Sequence, residues 1–254
     1  MNYFSDLLFS KSAIVALAFI LLFVLEYKFP VAAARNSLVR WGRNLSLATI
    51  SIVASPLIVL PISHWAGQHA IEWRPQWWSG WIGLGVDLII LDCWIYVWHR
   101  LNHVVPFLWR FHVVHHLDET LDVTSGLRFH FGEVVLSSLV RSTVIFMLAV
   151  PFNTVIIFET CVALAALFHH SNLKLPKWFE QPLSWLIVTP AIHWVHHHAL
   201  RTDTDSNYAT VLSIWDRIFL SRSATARTTV MKIGVEGLAE QSLLRLILRP
   251  FYRT

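Results

Sequence analysis

Residues 44–71 contain no Asp, Glu, Lys or Arg. A stretch of this kind is long enough to cross a bilayer as a helix, which needs about 20 mainly apolar residues. Four further runs are mainly apolar, with one or two charged residues each: 12–27, 77–98, 133–150 and 154–170. Only 14% of the chain is charged, where soluble domains carry roughly a quarter. The expected fold is therefore all-α, a polytopic bundle of membrane helices. Pro56 and Pro61 are placed to kink the second helix. Tryptophans at both ends of the third match an interfacial aromatic belt. The "PFN" at 151–153 reads as the turn of a hairpin between the last two. Residues 171–254 are more polar and offer no span.

A cleavable leader is the rival reading of the first run, with "AAA" at 32–34 as its cleavage site. Asp6 and a single lysine make a poor leader start, so a spanning helix with Lys11 near its beginning is expected. Basic residues set the orientation. Lys28, Arg35, Arg40 and Arg43 lie between the first two helices, Arg100 and Arg110 follow the third, and Lys174 and Lys177 follow the hairpin. The positive-inside rule puts all of these in the cytosol. The net charge of +4 is scattered around apolar segments, which suits a membrane surface and argues against a nucleic-acid partner. Cys93 and Cys161 form neither a disulfide framework nor a C-x-x-C site.

Histidines crowd two places in this apolar chain: "WHRLNHVVPFLWRFHVVHH" at 98–116 and "HWVHHH" at 193–198. A buried imidazole needs a partner for each ring nitrogen, so crowding is costly unless something binds them together. His99 and His103 are four apart and share a helix face. His112, His115 and His116 are related by threes and fours, as are His193, His196 and His197. His198 falls off the shared face. Helix parity brings all three sets to one side of the membrane, the cytosolic one. Eight imidazoles exceed the four or so that one zinc takes, so the count suggests two metals. Imidazole suits iron, zinc, copper or nickel. The Glu-x-x-His repeats of carboxylate-rich di-iron proteins are missing, and so is H-E-x-x-H.

The boxes "HRLNH", "FHVVHH" and "HWVHH", followed by "DSNYATVLSIWDRIF", resemble the fatty acid hydroxylase/sterol desaturase superfamily over about residues 86–221. The stretch "LDVTSGLRFHFGE" is similar to a segment that many bacterial members carry after the second box. Phe131, Ala209 and Leu220-Ser221 depart from the pattern, where proline, glycine and Gly-Thr are common; the boxes stay intact. The resemblance implies two iron ions bound in a cytosolic histidine-rich helical cap. It also implies O2 as co-substrate and hydroxylation or desaturation of a membrane lipid (sterol, fatty acyl or related). His170, after the hairpin, is a further ligand by the same resemblance. The implied location is multi-pass, in a bacterial inner membrane, with the active site facing the cytosol.

Residues around the boxes have two readings each. Asp92, seven before His99, either orients a ligand imidazole or partners Arg141 or a water. His130 is a ligand, faces substrate, or is a core histidine satisfied by Glu133. His169 neighbours His170 on another face. Asn207, with Asp216 and Arg217, is expected to hold the C-terminal part of the cap together or to face substrate. Arg141 and Glu159 of the hairpin are expected in the substrate-pocket wall. The expected layout is N-terminal transmembrane helices in 1–76, a catalytic domain in 77–221, and a basic amphipathic tail in 222–254. The chain shows no dinucleotide fingerprint or flavin domain, so electrons are expected from a separate donor, ferredoxin- or cytochrome-like with a reductase. Two other classes remain open: a membrane protein holding zinc for structure or storage, and a hydrolase using a di-metal hydroxide.

Overall fold

In lipid no water is available to the backbone, so apolar segments close their hydrogen bonds internally as helices. A computed structural model describes the protein over residues 3–33 and 37–252, and Arg35 lies outside them. In chain order come α1 (Tyr3–Lys28), α2 (Leu38–Ala54), α3 (Leu60–Gln68), α4 (Gly80–Val104), α5 (Pro106–His116), α6 (Phe131–Leu148) and α7 (Phe152–His170). Shorter helices follow: α8 (Lys177–Leu183), α9 (Pro190–His196), α10 (Arg201–Thr204), α11 (Ile214–Ile218) and α12 (Leu243–Leu248). Among the described residues, five units are long and apolar enough to cross a membrane: Leu8–Lys28, Leu38–Gln68, Gly80–Val104, Phe131–Leu148 and Phe152–His170. The protein is an all-α, multi-pass membrane bundle.

The second span joins α2 to α3 through a π turn, Ser55–Val59, in which the Leu60 N–H donates to the Ser55 carbonyl. Pro56 has no N–H to give, and the wider turn absorbs its ring. The third span runs past its expected end at 98, so His99 and His103 occupy the last turns of α4. Val105 is extended (φ −95°, ψ 112°), as the residue before a proline prefers. The chain turns there, and Pro106 starts α5 at the position where its missing N–H is harmless. Ala149, in the left-handed region at φ 50°, ends α6 and opens the hairpin into α7.

The ends of α1 and α7 lie side by side. Pro30 bridges to Leu173, and the Lys174 N–H donates to the Phe29 carbonyl at 2.8 Å. Arg40 and Arg43, counted in the sequence as loop charges, instead sit inside α2. Arg40 is only 6% exposed. Its guanidinium donates to both carboxylate oxygens of Asp118 (2.5 and 3.0 Å), to Asp122 at 2.5 Å and to the Thr120 carbonyl at 2.7 Å. Its charge is therefore spent inside the protein, where removing one partner of a buried pair costs about 3–5 kcal/mol. The chain beyond 222 folds back over the same region. Leu246 of α12 is buried among Leu47, Val113, Val114 and Leu117, and Glu240 accepts both terminal nitrogens of the fully buried Arg128 at 2.9 Å.

Candidate metal centre

Nine buried histidines meet at this end of the bundle in two sets. One comprises His99, His103, His112, His116 and His196; the other His115, His170, His193 and His197. Within each set the ligand-type nitrogens all lie within 4.8 Å of one another. α4 gives both its histidines to the first set and α7 gives His170 to the second. α5 divides its histidines between the sets, and so does α9 together with His197 at its C-terminal cap. His112 and His116, four apart, enter the first set and His115 the second. His193 and His197 enter the second and His196 the first. The two H-x-x-H-H segments thus straddle both sets with opposite assignment.

The donor chemistry fits a metal. In the second set the Nε2 atoms face one another: His170 to His115 at 2.9 Å, to His193 at 3.0 Å and to His197 at 3.2 Å. In the first, His112 and His116 Nε2 are 3.2 Å apart, and the buried Nε2 atoms of His103 and His196 have no partner. Neutral imidazoles carry one N–H each, so four lone pairs cannot all be satisfied by such mutual contacts. Six Nδ1–H groups already point outward. They donate to the carbonyls of Tyr208 (His99, 2.8 Å), Arg128 (His115, 3.0 Å), Ala166 (His170, 2.6 Å) and Ser206 (His196, 2.6 Å). The other two go to Glu133 (His112, 2.8 Å) and Asp205 (His103, 3.3 Å). A carbonyl or carboxylate on Nδ1–H leaves the Nε2 lone pair free for an ion and fixes the ring. Burial and neighbouring imidazoles push His115, His116, His193, His196 and His197 well below the usual histidine range, so these rings are neutral donors.

The residues beside the boxes divide. Glu133 Oε1 holds His112 and also accepts Asn102 Nδ2 at 3.2 Å. Asp92 touches no imidazole through a hydrogen bond. Its Oδ2 accepts the Leu212 N–H (3.0 Å) and Trp215 Nε1 (2.8 Å), so it clamps the C-terminal segment to α4. His130 belongs to neither set. Its Nδ1 accepts the Gly132 N–H, capping α6, and its Nε2–H donates to the Ile247 carbonyl at 2.9 Å. Its satisfaction comes from the backbone, and Glu133 is not its partner. Asn207, at φ 52°, donates to the Ile192 carbonyl and accepts the Ser223 N–H, holding the cap behind α9. His169 joins neither set, but its ring lies 3.9 Å from that of His193. His198 turns away to Asp203 at 2.7 Å.

Sequence reasoning did not reach the carbonyl acceptors, nor the polar frame behind the second box. Arg128 donates to the Val114 carbonyl (2.8 Å) and Asn44 Oδ1 (3.0 Å), while its own carbonyl holds His115. Asn44 in turn donates to Asp118 at 3.1 Å.

A cavity of about 370 Å³ opens against the sets. His99, His112, His115, His169, His170 and His193 form one end of it, and Ile95, Trp98, Phe158, Val162 and Ala163 are among its apolar walls.

A sequence model of the family described as fatty acid hydroxylase matches residues 84–221. Among curated proteins, the chain is 26% identical to an ornithine lipid hydroxylase of Rhizobium tropici, over 78% of this chain and 59% of that one. It is 31% identical to an alkylglycerol monooxygenase of Xenopus tropicalis, over 61% of this chain and 33% of the relative. A fatty acid hydroxylase of Lecanicillium sp is 29% identical over 57% and 43%. The chain thus spans less than two thirds of the length of each of these relatives. No solved structure matches it. Because the family match covers more than half of the chain and takes in all three boxes, the chain belongs to the fatty acid hydroxylase family.

Proposed function

We propose that this protein hydroxylates a C–H bond of a membrane lipid, using O2 and two iron ions held by the nine histidines. The observation that carries this reading is the shared wall: six imidazoles form one end of a cavity whose sides are apolar and lie within the membrane-spanning helices. Hydroxylation is preferred to desaturation because the relatives are named as hydroxylases and monooxygenases. Bound iron would supply the activation of O2. The protein's own part is to hold the lipid chain against that end of the cavity, keep water away and fix six of the imidazoles through their Nδ1 partners.

The balance requires outside electrons. One oxygen atom enters the C–H bond and the other leaves as water, which takes two electrons and two protons beyond those of the substrate. A separate carrier, ferredoxin- or cytochrome-like, is the proposed source. Exposed Arg100, Lys174, Lys177 and Arg201 stand on the same side as the histidines and favour an acidic partner. The Trp109 ring lies between the Arg201 guanidinium (4.6 Å) and the His103 ring (5.1 Å), a short route from surface to first set. The same charges favour a cytosolic position for that side, and a bacterial inner-membrane location is part of the proposal.

The test is turnover of bilayer lipid by iron-loaded protein with a reductase system and isotopically labelled O2. Labelled oxygen in a hydroxylated lipid is expected. Product formed without O2, or carrying oxygen from water, contradicts the reading and favours a hydrolase.

A further inference from the structure

The end of the cavity remote from the imidazoles is charged. Lys11 of α1, Arg141 of α6 and Glu159 of α7 line it. Glu159 Oε2 accepts Lys11 Nζ at 2.5 Å, and its Oε1 accepts Arg141 Nη2 at 2.5 Å. Three helices thus bring two cations to one carboxylate, leaving one positive charge without a counter-ion. Among the described residues, Glu133 is the only other acid in the lining, and it stands at the imidazole end. Arg141 is eight residues beyond Glu133, about 12 Å along α6, and Glu159 is eleven residues before His170, about 16 Å along α7.

Charge inside a membrane span is expensive and is retained where it meets a partner. Here the partner set is incomplete. Arg141 is 8% exposed, and its Nε is buried with no hydrogen-bond acceptor. The Ser51 hydroxyl, which lines the same cavity, is also buried without a partner. Unused donors and one excess positive charge facing one cavity ask for a single oxyanion, and the planar arginine fork suits a carboxylate.

We propose that Lys11, Arg141 and Glu159 form a subsite for the carboxylate of a single-chain lipid, whose tail runs toward the imidazoles. This rests on reading the cavity as the substrate site. Glu159 holds the two cations in place and lowers their net charge to that of one carboxylate partner. The subsite would fix which carbon reaches the imidazole end, through the length of chain between the two ends.

The test is equilibrium binding to the metal-loaded full chain in neutral-lipid nanodiscs, without reductant so that nothing turns over. A fluorescent fatty acid is displaced by a saturated fatty acid, the matching fatty alcohol or the matching alkyl phosphate. The acid is expected to compete on the order of tenfold better than the alcohol, the size of one modest charge contact. Lys11→Met makes the trio neutral and should abolish that preference; Glu159→Gln doubles the excess charge and should enlarge it. Lys11 is the more exposed cation, at 23%, so its variant is the one expected to keep the fold if Glu159→Gln does not. Equal competition by acid and alcohol in wild type, or an unchanged preference in Lys11→Met, overturns the subsite. Tighter binding of the alkyl phosphate overturns the carboxylate assignment. Failure of the cavity to bind any of the three overturns the substrate-cavity reading itself.

Discussion

The rings of His116 and His197 stack with centroids 4.3 Å apart and planes 20° from parallel, although each belongs to a different histidine set. The two sets therefore share a wall, and a change to either ring is felt on both sides. His103 has ring contacts only with members of its own set, Trp109 and Tyr208. His103→Ala leaves its set four imidazoles, so it is expected to weaken binding at the first set alone and leave the second intact. His116→Ala is expected to lower occupancy on both sides. Elemental analysis of the purified variants separates them, and identical losses would contradict the shared wall.

Glu133 and Asp92 are both buried acids beside the boxes, yet they should behave differently. Glu133 fixes His112 through Nδ1, so Glu133→Ala is expected to weaken metal affinity about 10–100-fold, as losing such a partner usually does. Asp92 holds Leu212 and Trp215. Asp92→Ala should lower the unfolding temperature in detergent and leave metal affinity near wild type. Competition with a chelator of known strength measures both.

Gly126 sits where the 3-10 turn Val123–Leu127 approaches α7. A Cβ there would stand 2.6 Å from the Ala166 carbonyl oxygen, which is the acceptor for His170 Nδ1. Backbone, not a flexible side chain, would have to move. Gly126→Ala is expected to destabilise the protein by about 1–3 kcal/mol, the usual cost of overpacking, and to loosen metal at the second set. Equilibrium unfolding and metal retention after dialysis check the two effects.

The histidine boxes were legible because spacing alone puts residues four apart on one helix face. Their division was not. At 3.6 residues per turn, positions i+3 and i+4 fall about 100° apart on either side of i. With centres flanking the helix, His112 and His116 turn one way and His115 the other, and spacing cannot say which. The five spans were legible from apolar length, since lipid leaves the backbone few options. Arg40 was misread because a positive-inside count treats charges near a helix end as loop charges, and its partners Asp118 and Asp122 lie 78 and 82 residues away. His130 looked like part of the site because it follows the second box in a similar segment. Its acceptor is the Ile247 carbonyl, 117 residues on, which no local pattern announces.

Acid should weaken the metal-stripped protein. Burial holds His115, His116, His193, His196 and His197 well below the ordinary histidine value in the folded state. In the unfolded chain they protonate near about 6.5. Below that pH the unfolded state binds more protons than the folded one, so stability falls as pH drops and is recovered as pH rises. Thermal unfolding of chelator-treated protein should therefore move to lower temperature between about pH 7.5 and about pH 5.5. An unchanged or higher transition at the acid end would show that these imidazoles are not held neutral.

The most direct test is the number of ions bound per chain by protein purified from iron-supplied cells, with His198→Ala and His130→Ala as controls outside the two sets. Two adjacent sets of four and five imidazoles predict about two ions per chain in wild type and in both controls. One ion per chain in wild type, or a control that loses an ion while the boxes are intact, would contradict a dinuclear centre built from these nine histidines.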